Sequence, residues 1–236
     1  MREKNAVKEC TQELRALADG EKASFLQKFF RTGKGEYAEG DKFLGITVPV
    51  LRAVAGKYRH MPLSQVRTLL KSKWHEERSA ALVILVNKFE RADESEERAV
   101  FDLYLAHTAY INNWDLVDLS APRIVGAYLL HRPRAVLYRL VKSQSLWERR
   151  IAIVSTQYLI RKNDFADTLK LAALLLKDDH DLLHKATGWM LREVGKRDES
   201  VLVRFLDKHA HQMPRTALRY SLERLSATER KHYMGV

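Results

Sequence analysis

Cysteine, glycine and proline are all scarce in this sequence. Cys10 is the one cysteine in 236 residues, so no disulfide can form within the chain. A reducing compartment, the cytoplasm, is the expected setting. Cys10 falls mid-pattern in a terminal helix, which reads as packing and not as a reactive thiol. Glycine (10) and proline (5) are few for such a length, which favours helices over sheets. No hairpin dipeptide separates alternating strands. No stretch approaches the roughly 20 uninterrupted apolar residues of a membrane span. The start, Met1-Arg2-Glu3-Lys4-Asn5, is charged where a signal peptide needs an apolar run. Together these shortages point away from sheets, secretion and membranes.

What the chain does have is positive charge. Lys+Arg number 41 against 30 Asp+Glu, a net of +11. The excess is local: residues 119–162 hold nine basic side chains (Arg123, Arg132, Arg134, Arg139, Lys142, Arg149, Arg150, Arg161 and Lys162) against one acid, Glu148. An arginine-rich excess in mid-chain is the footprint of a polyanion partner, nucleic acid being the commonest. The plainer alternative is a charged face kept soluble by water.

Helical periodicity runs through the chain. Ala80 to Val86 opens a buried helix ending near Phe89, and Leu169 to Leu176 is a second apolar segment of helical length. Ser145-x-x-Glu148 and Ser226-x-x-Glu229 read as capping boxes. Pro49, Pro62, Pro133 and Pro214 fall near expected first turns, where a missing N–H costs nothing. About a dozen helices result, in one domain spanning 1–236. Five segments can be superposed: Arg78-Ser79-Ala80-Ala81-Leu82, Asp118-Leu119-Ser120-Ala121-Pro122, Arg150-Ile151-Ala152-Ile153-Val154, Lys185-Ala186-Thr187-Gly188-Trp189 and Arg215-Thr216-Ala217-Leu218-Arg219. Their first residues lie 40, 32, 35 and 30 positions apart. This is the pattern of stacked helical hairpins of HEAT type. It predicts an all-α, curved α-solenoid with a concave basic face. The first residues would form a column there, basic except for Asp118. An irregular helical bundle is the alternative.

Two constellations could carry chemistry. Trp114 and Asp118 sit at i, i+4 and share a helix face. Asp115 lies at the helix start, where the dipole favours an acid. Asp118, among Leu116, Val117 and Leu119, must be exposed on a concave face, paired with a basic residue such as Arg150, or functional. Farther along, Gly188 permits a close approach, and Trp189 and Arg192 share a face. Indole attracts cations and a guanidinium fork suits phosphate; a core tryptophan beside a surface arginine is the plainer reading. The loop Thr32 to Gly45 holds four glycines, but Asp41-Lys42-Phe43 after Gly40 lacks the Lys-Ser/Thr of a phosphate loop. It reads as ordering the join to Thr47-Val48-Pro49, or as touching a ligand. His180 and His184 have metal spacing but no third ligand, and a helix start rich in acids is the simpler reading. His75-Glu76-Glu77-Arg78 lacks the second histidine of a zincin. No metal or cofactor is implied.

Four ordered motifs resemble one family. They are Phe43-Leu44-Gly45-Ile46-Thr47-Val48-Pro49, Trp114-Asp115-Leu116-Val117-Asp118, Trp147-Glu148-Arg149-Arg150-Ile151-Ala152 and Gly188-Trp189-Met190-Leu191-Arg192-Glu193. Over nearly its whole length the chain is similar to the AlkD-type DNA alkylation repair glycosylases, which are HEAT-like proteins. The resemblance implies Asp118 as catalytic aspartate, Trp114 and Trp189 as cleft tryptophans, and Arg150 and Arg192 as DNA-backbone arginines. Weaker backbone contacts fall on Thr47 and Arg52, and Lys185 joins them as the basic member of the column beside Trp189. Asn113 departs from the pattern, where a characterised member of the family has a further tryptophan.

The same resemblance implies hydrolysis of the N-glycosidic bond of cationic 7-alkylguanine or 3-alkyladenine in duplex DNA, and so action at the nucleoid; a concave DNA-binding monomer needs no partner, and the cytoplasm is the setting already expected from the single cysteine. Such bases already leave well, so the protein's task is to stabilise the cationic sugar. The resemblance also implies cleavage without base flipping, and hence tolerance of bulky adducts. A non-catalytic HEAT-like nucleic-acid-binding protein and a protein-interaction scaffold are the competing readings.

Overall fold

A computed structural model describes residues 5–235; Met1 to Lys4 of the charged start lie outside them. Among the described residues the fold is all-α: fourteen α-helices, no strand, and one isolated bridge between Lys42 and Trp74. No helix among them is long and apolar enough to cross a membrane. The chain divides into two compact units, the first ending at Ser120 and the second beginning at Ala121.

The first unit holds α1 (Ala6–Ala16), α2 (Gly20–Phe29), α3 (Val48–Lys57), α4 (Leu63–Leu70), α5 (His75–Phe89), α6 (Glu94–Ala106) and most of α7 (Trp114–Ala121). α5 is its hub and packs on α1, α3, α4 and α6. Its run from Ala80 to Val86 is buried throughout, as a helix apolar on all sides must be. The helix starts earlier than its apolar run, because His75, Glu76, Glu77 and Arg78 are buried as well. α2 is the opposite case. None of its residues is buried, and Phe25 and Phe29 are 64% and 54% exposed.

The second unit opens with a π-helical turn, Pro122–Gly126. Pro122 has no N–H for the carbonyl of Asp118 four residues back, which breaks the α pattern at that point. There follow α8 (Ala135–Leu140), α9 (Leu146–Arg161), α10 (Ala166–Leu175), α11 (Asp181–Arg197), α12 (Glu199–His209), α13 (Arg215–Ser221) and α14 (Ala227–Met234). The π-helical turn packs on α9, α9 on α11 and α11 on α13, while α8, α10 and α12 pack beside them. Each pair thus buries its apolar face on the next, as the sequence period predicts. The repeat reaches atomic detail. A Cβ on Gly126 would lie 2.1 Å from the Ser155 carbonyl oxygen and 2.9 Å from Tyr158 Cβ. A Cβ on Gly188 would lie 2.4 Å from the Ala217 carbonyl oxygen and 2.6 Å from Tyr220 Cβ. Glycine, carbonyl and tyrosine recur at the same spacing in both places.

Helix starts follow the expected chemistry. Ser226 and Glu229 make the full capping box of α14, and Ser145 Oγ accepts the Glu148 N–H of α9. Pro49 sits in the first turn of α3, Pro62 and Pro214 are the N-caps of α4 and α13, and Pro133 precedes the N-cap Arg134 of α8.

Candidate functional site

In the first unit, α7 carries two of the expected residues. Asn113 fixes its start. The fully buried Asn113 accepts the Val117 N–H on its carbonyl at 3.1 Å and the Trp114 N–H on its side-chain Oδ1 at 2.8 Å. Trp114 and Asp118 then fall one turn apart on one face, both half-buried, with Leu116, Val117 and Ser120 turned into the core. Behind them Ser120 Oγ donates to the Leu116 carbonyl at 2.6 Å, so the Tyr104 hydroxyl donates to Ser120 at 3.0 Å. Burial holds that phenol protonated far above its usual range, and the negative charge of Asp118 adds to the effect.

Trp114 belongs to an aromatic stack. Phe30 lies 5.2 Å away at an interplanar angle of 25°, covering one face of the indole. Phe29 meets it edge-on at 6.1 Å. Phe30 and Phe43 in turn lie 5.3 and 4.4 Å from the His75 ring.

His75 is the centre of a buried charged cluster. Its Nδ1 is 3.0 Å from Asp41 Oδ2 and its Nε2 is 2.8 Å from Asp115 Oδ2. A carboxylate at each nitrogen requires a proton on each, so the ring is an imidazolium. Burial alone would lower its pKa, but the charges and hydrogen bonds of Asp115 and Asp41 outweigh burial and raise it to about 9. Arg78 donates to both oxygens of Asp41, at 2.8 and 2.9 Å. Burial works against ionisation of Asp41, but His75 and Arg78 together hold its carboxyl below the usual range. The expectation that Arg78 opens an exposed basic column is therefore corrected. It is 3% exposed, because the buried Asp41 needs a counter-charge.

Next along α5, Glu76 accepts three backbone N–H groups, from Leu44 and Gly45 at 2.8 Å and from Ile46 at 3.3 Å. Gly45 has φ +85°, and a Cβ there would lie 2.1 Å from the Asp19 carbonyl oxygen. No side chain fits. The glycine-rich loop thus orders the join to α3, as one of its two readings held. Asp41, which stands after Gly40 where a phosphate loop would have its lysine, is the fastening point, held by His75 and Arg78. Thr47 becomes the N-cap of α3, and both Thr47 and Arg52 are exposed.

In the second unit, α11 presents Lys185, Trp189 and Arg192 along one face, all half-buried. Lys185 Nζ is 2.8 Å from Asp181 Oδ2. Arg192 pairs with Glu223 and lies 3.6 Å from Glu193. Gly188, next to Trp189, is where the α13 backbone makes its close approach. Arg150 on α9, expected as an exposed member of the same basic column and as a DNA-backbone arginine, is corrected as well: it is buried, and its Nη1 donates to the Leu182 carbonyl at 2.6 Å. His180 caps α11 by accepting the Leu182 N–H, and His184 bonds the Asp178 carbonyl. No cluster of three or more metal-ligating side chains occurs among the described residues.

The structure thus brings Trp114 and Asp118 onto one face in the first unit, and Lys185, Trp189 and Arg192 onto one face in the second. Sequence reasoning missed the cluster of Asp41, His75, Arg78 and Asp115. Its signal was the unbroken run His75-Glu76-Glu77-Arg78 immediately before an apolar helix, four ionisable groups that helical continuity carries into the core.

A family model described as DNA alkylation repair enzyme matches residues 10–225. Among solved structures, the fold is similar to that of a predicted DNA alkylation repair enzyme from Enterococcus faecalis. The match has a TM-score of 0.70 at 17% identity, and covers 89% of this chain and 97% of that one. No curated protein matches the chain. With residues 10–225 matched, the chain belongs to the DNA alkylation repair enzyme family.

Proposed function

We propose that this protein is a DNA glycosylase that hydrolyses the N-glycosidic bond of cationic 7-alkylguanine and 3-alkyladenine in duplex DNA. It acts as a monomer at the nucleoid, without metal or cofactor and without extruding the base before cleavage. The observation that carries the reading is Trp114 and Asp118 on one face of α7, both half-buried. The charge cluster and Asn113 hold the start of that helix in place.

The chemistry asks little of an acid. As the C1′–N bond breaks, its electron pair returns to the alkylated ring, which leaves uncharged. Positive charge develops on the deoxyribose. The Asp118 carboxylate stabilises that charge and orients the water that adds to C1′, whose proton passes to the carboxylate or to solvent. Trp114 and Trp189 pack on the sugar and its cationic base. Arg192, Thr47, Arg52 and Lys185 hold phosphates and set the register.

Asp118→Asn tests the reading. Release of 7-methylguanine from methylated duplex, followed by chromatography, is expected to fall by about 100-fold or more, with duplex binding retained. Release at the wild-type rate would remove Asp118 from the catalytic role. One observation favours a second reading, a non-catalytic nucleic-acid-binding protein: Phe30 covers one face of the Trp114 indole, a face that a cation would otherwise use. That protein would bind duplex in a salt-sensitive way and release no base.

A further inference from the structure

The second unit has an open groove of about 560 Å³ between α12 and the start of α10. These are not the helix that carries Lys185, Trp189 and Arg192, which is α11. The groove's walls are apolar: Phe165, Leu169, Val201 and Phe205. Phe205 is buried and the other three are half-buried, so apolar surface stays within reach of solvent. The His209 ring packs on Phe205 at 4.6 Å and extends that surface. Burial, with Lys208 and His211 nearby, holds His209 below its ordinary pKa, so the ring is neutral at neutral pH.

Two cations stand on the rim. Arg204 and Lys208 are one turn apart on α12, and both are exposed. Neither is in a salt bridge among the described residues; Arg204 donates to Ser200 Oγ, a neutral acceptor, at 3.1 Å. The acids nearby are engaged elsewhere. Asp164, the one acid in the lining, pairs with Arg134 at 2.7 Å. Asp198 caps α12, and Asp207 accepts the Tyr233 hydroxyl at 2.6 Å. We infer that this groove docks an acidic segment of a partner protein that also carries apolar side chains. The walls take the apolar side chains, and the rim cations take the carboxylates. Duplex DNA fits less well, because its backbone of phosphate and sugar has nothing to fill an apolar groove. The inference does not rest on the glycosylase reading.

Fluorescence anisotropy on the whole protein tests it, with the fluorescein-labelled heptapeptide DDFDELD as probe. Saturable binding to wild type is expected. The control peptide DDSDESD, with the same charge and no large apolar side chain, is expected to bind at least about tenfold more weakly. The double variant Arg204→Glu, Lys208→Glu changes exposed positions only, and is expected to weaken probe binding at least about tenfold. No saturation by about 1 mM probe would overturn the inference. So would equal binding of the control peptide, which would reduce the contact to charge alone, or unaltered affinity in the variant. Labelled undamaged duplex is titrated alongside. A loss of duplex affinity in the variant as large as the peptide's would make the groove a nucleic-acid surface and overturn the inference; a smaller loss supports it.

Discussion

At the scale of single residues, His75 decides how the first unit responds to pH. Its pKa is raised to about 9 in the folded protein, above the ordinary histidine value of 6.5. A group whose folded pKa is raised stabilises the fold fully below its unfolded pKa, and that contribution fades as pH climbs through the folded value. The His75 contribution is therefore expected to be full below pH 6.5 and to be lost between there and about pH 9. Cys10, whose buried thiol is pushed up to about 12, works in the same direction at still higher pH. Chemical denaturation of wild type and His75→Gln across that range isolates the imidazolium: the variant's profile should be flatter between pH 6.5 and 9. At pH 6.5 the variant should also be less stable by about 3–5 kcal/mol, the cost of removing one partner from a buried ion pair. Parallel profiles would mean that the histidine is neutral in the fold.

At the scale of elements, the glycines at the helix crossings determine how closely the repeats approach. Gly188 has the Ala217 carbonyl oxygen 2.4 Å from where a Cβ would sit. That oxygen is backbone and cannot swing aside. Gly188→Ala should cost about 1–3 kcal/mol by overpacking, visible as a lower denaturation midpoint, and Gly126→Ala should behave alike. An unchanged midpoint in both would mean that the helices slide apart freely. Elements were the most legible part of the sequence. Apolar periodicity, Ser226-x-x-Glu229 and the placement of the prolines located helices and their starts, because those signals act over one or two turns. The π-helical turn was hidden. Pro122 was visible, but whether a helix stops at proline or continues past it depends on the neighbours packed around it. The charge cluster was hidden for a similar reason: Asp41 and His75 lie far apart in sequence, and only the loop's course joins them. Trp114 and Asp118 were legible because their relation is local to one helix, whereas the Phe30 ring on Trp114 comes from another part of the chain.

At the scale of the whole molecule, the net charge of +11 overstates what is available to DNA. Part of the arginine excess in residues 119–162 is used internally. Arg134 pairs with Asp164 and Asp167 at 2.7 Å, and Arg149 with Asp178 at 2.7 Å. Arg123, Arg139, Lys142, Arg161 and Lys162 stay exposed. Duplex affinity should still fall steeply with salt, in proportion to the phosphates neutralised. Arg52→Gln, at an exposed position, should make the log–log slope shallower by about one. Fluorescence anisotropy with an undamaged duplex at several salt concentrations checks this, and an unaltered slope would remove Arg52 from the DNA contacts.

Glu76 has a wider consequence. A stretch of extended backbone normally shares its N–H groups among several residues of a neighbouring strand, and it can fray from one end. Leu44, Gly45 and Ile46 give theirs to a single side chain. Such an arrangement has no graded opening: the segment is released as a block, or it stays shut for as long as α5 is folded. The route into α3 thereby behaves, in cooperative terms, as part of the central helix and not as a loop.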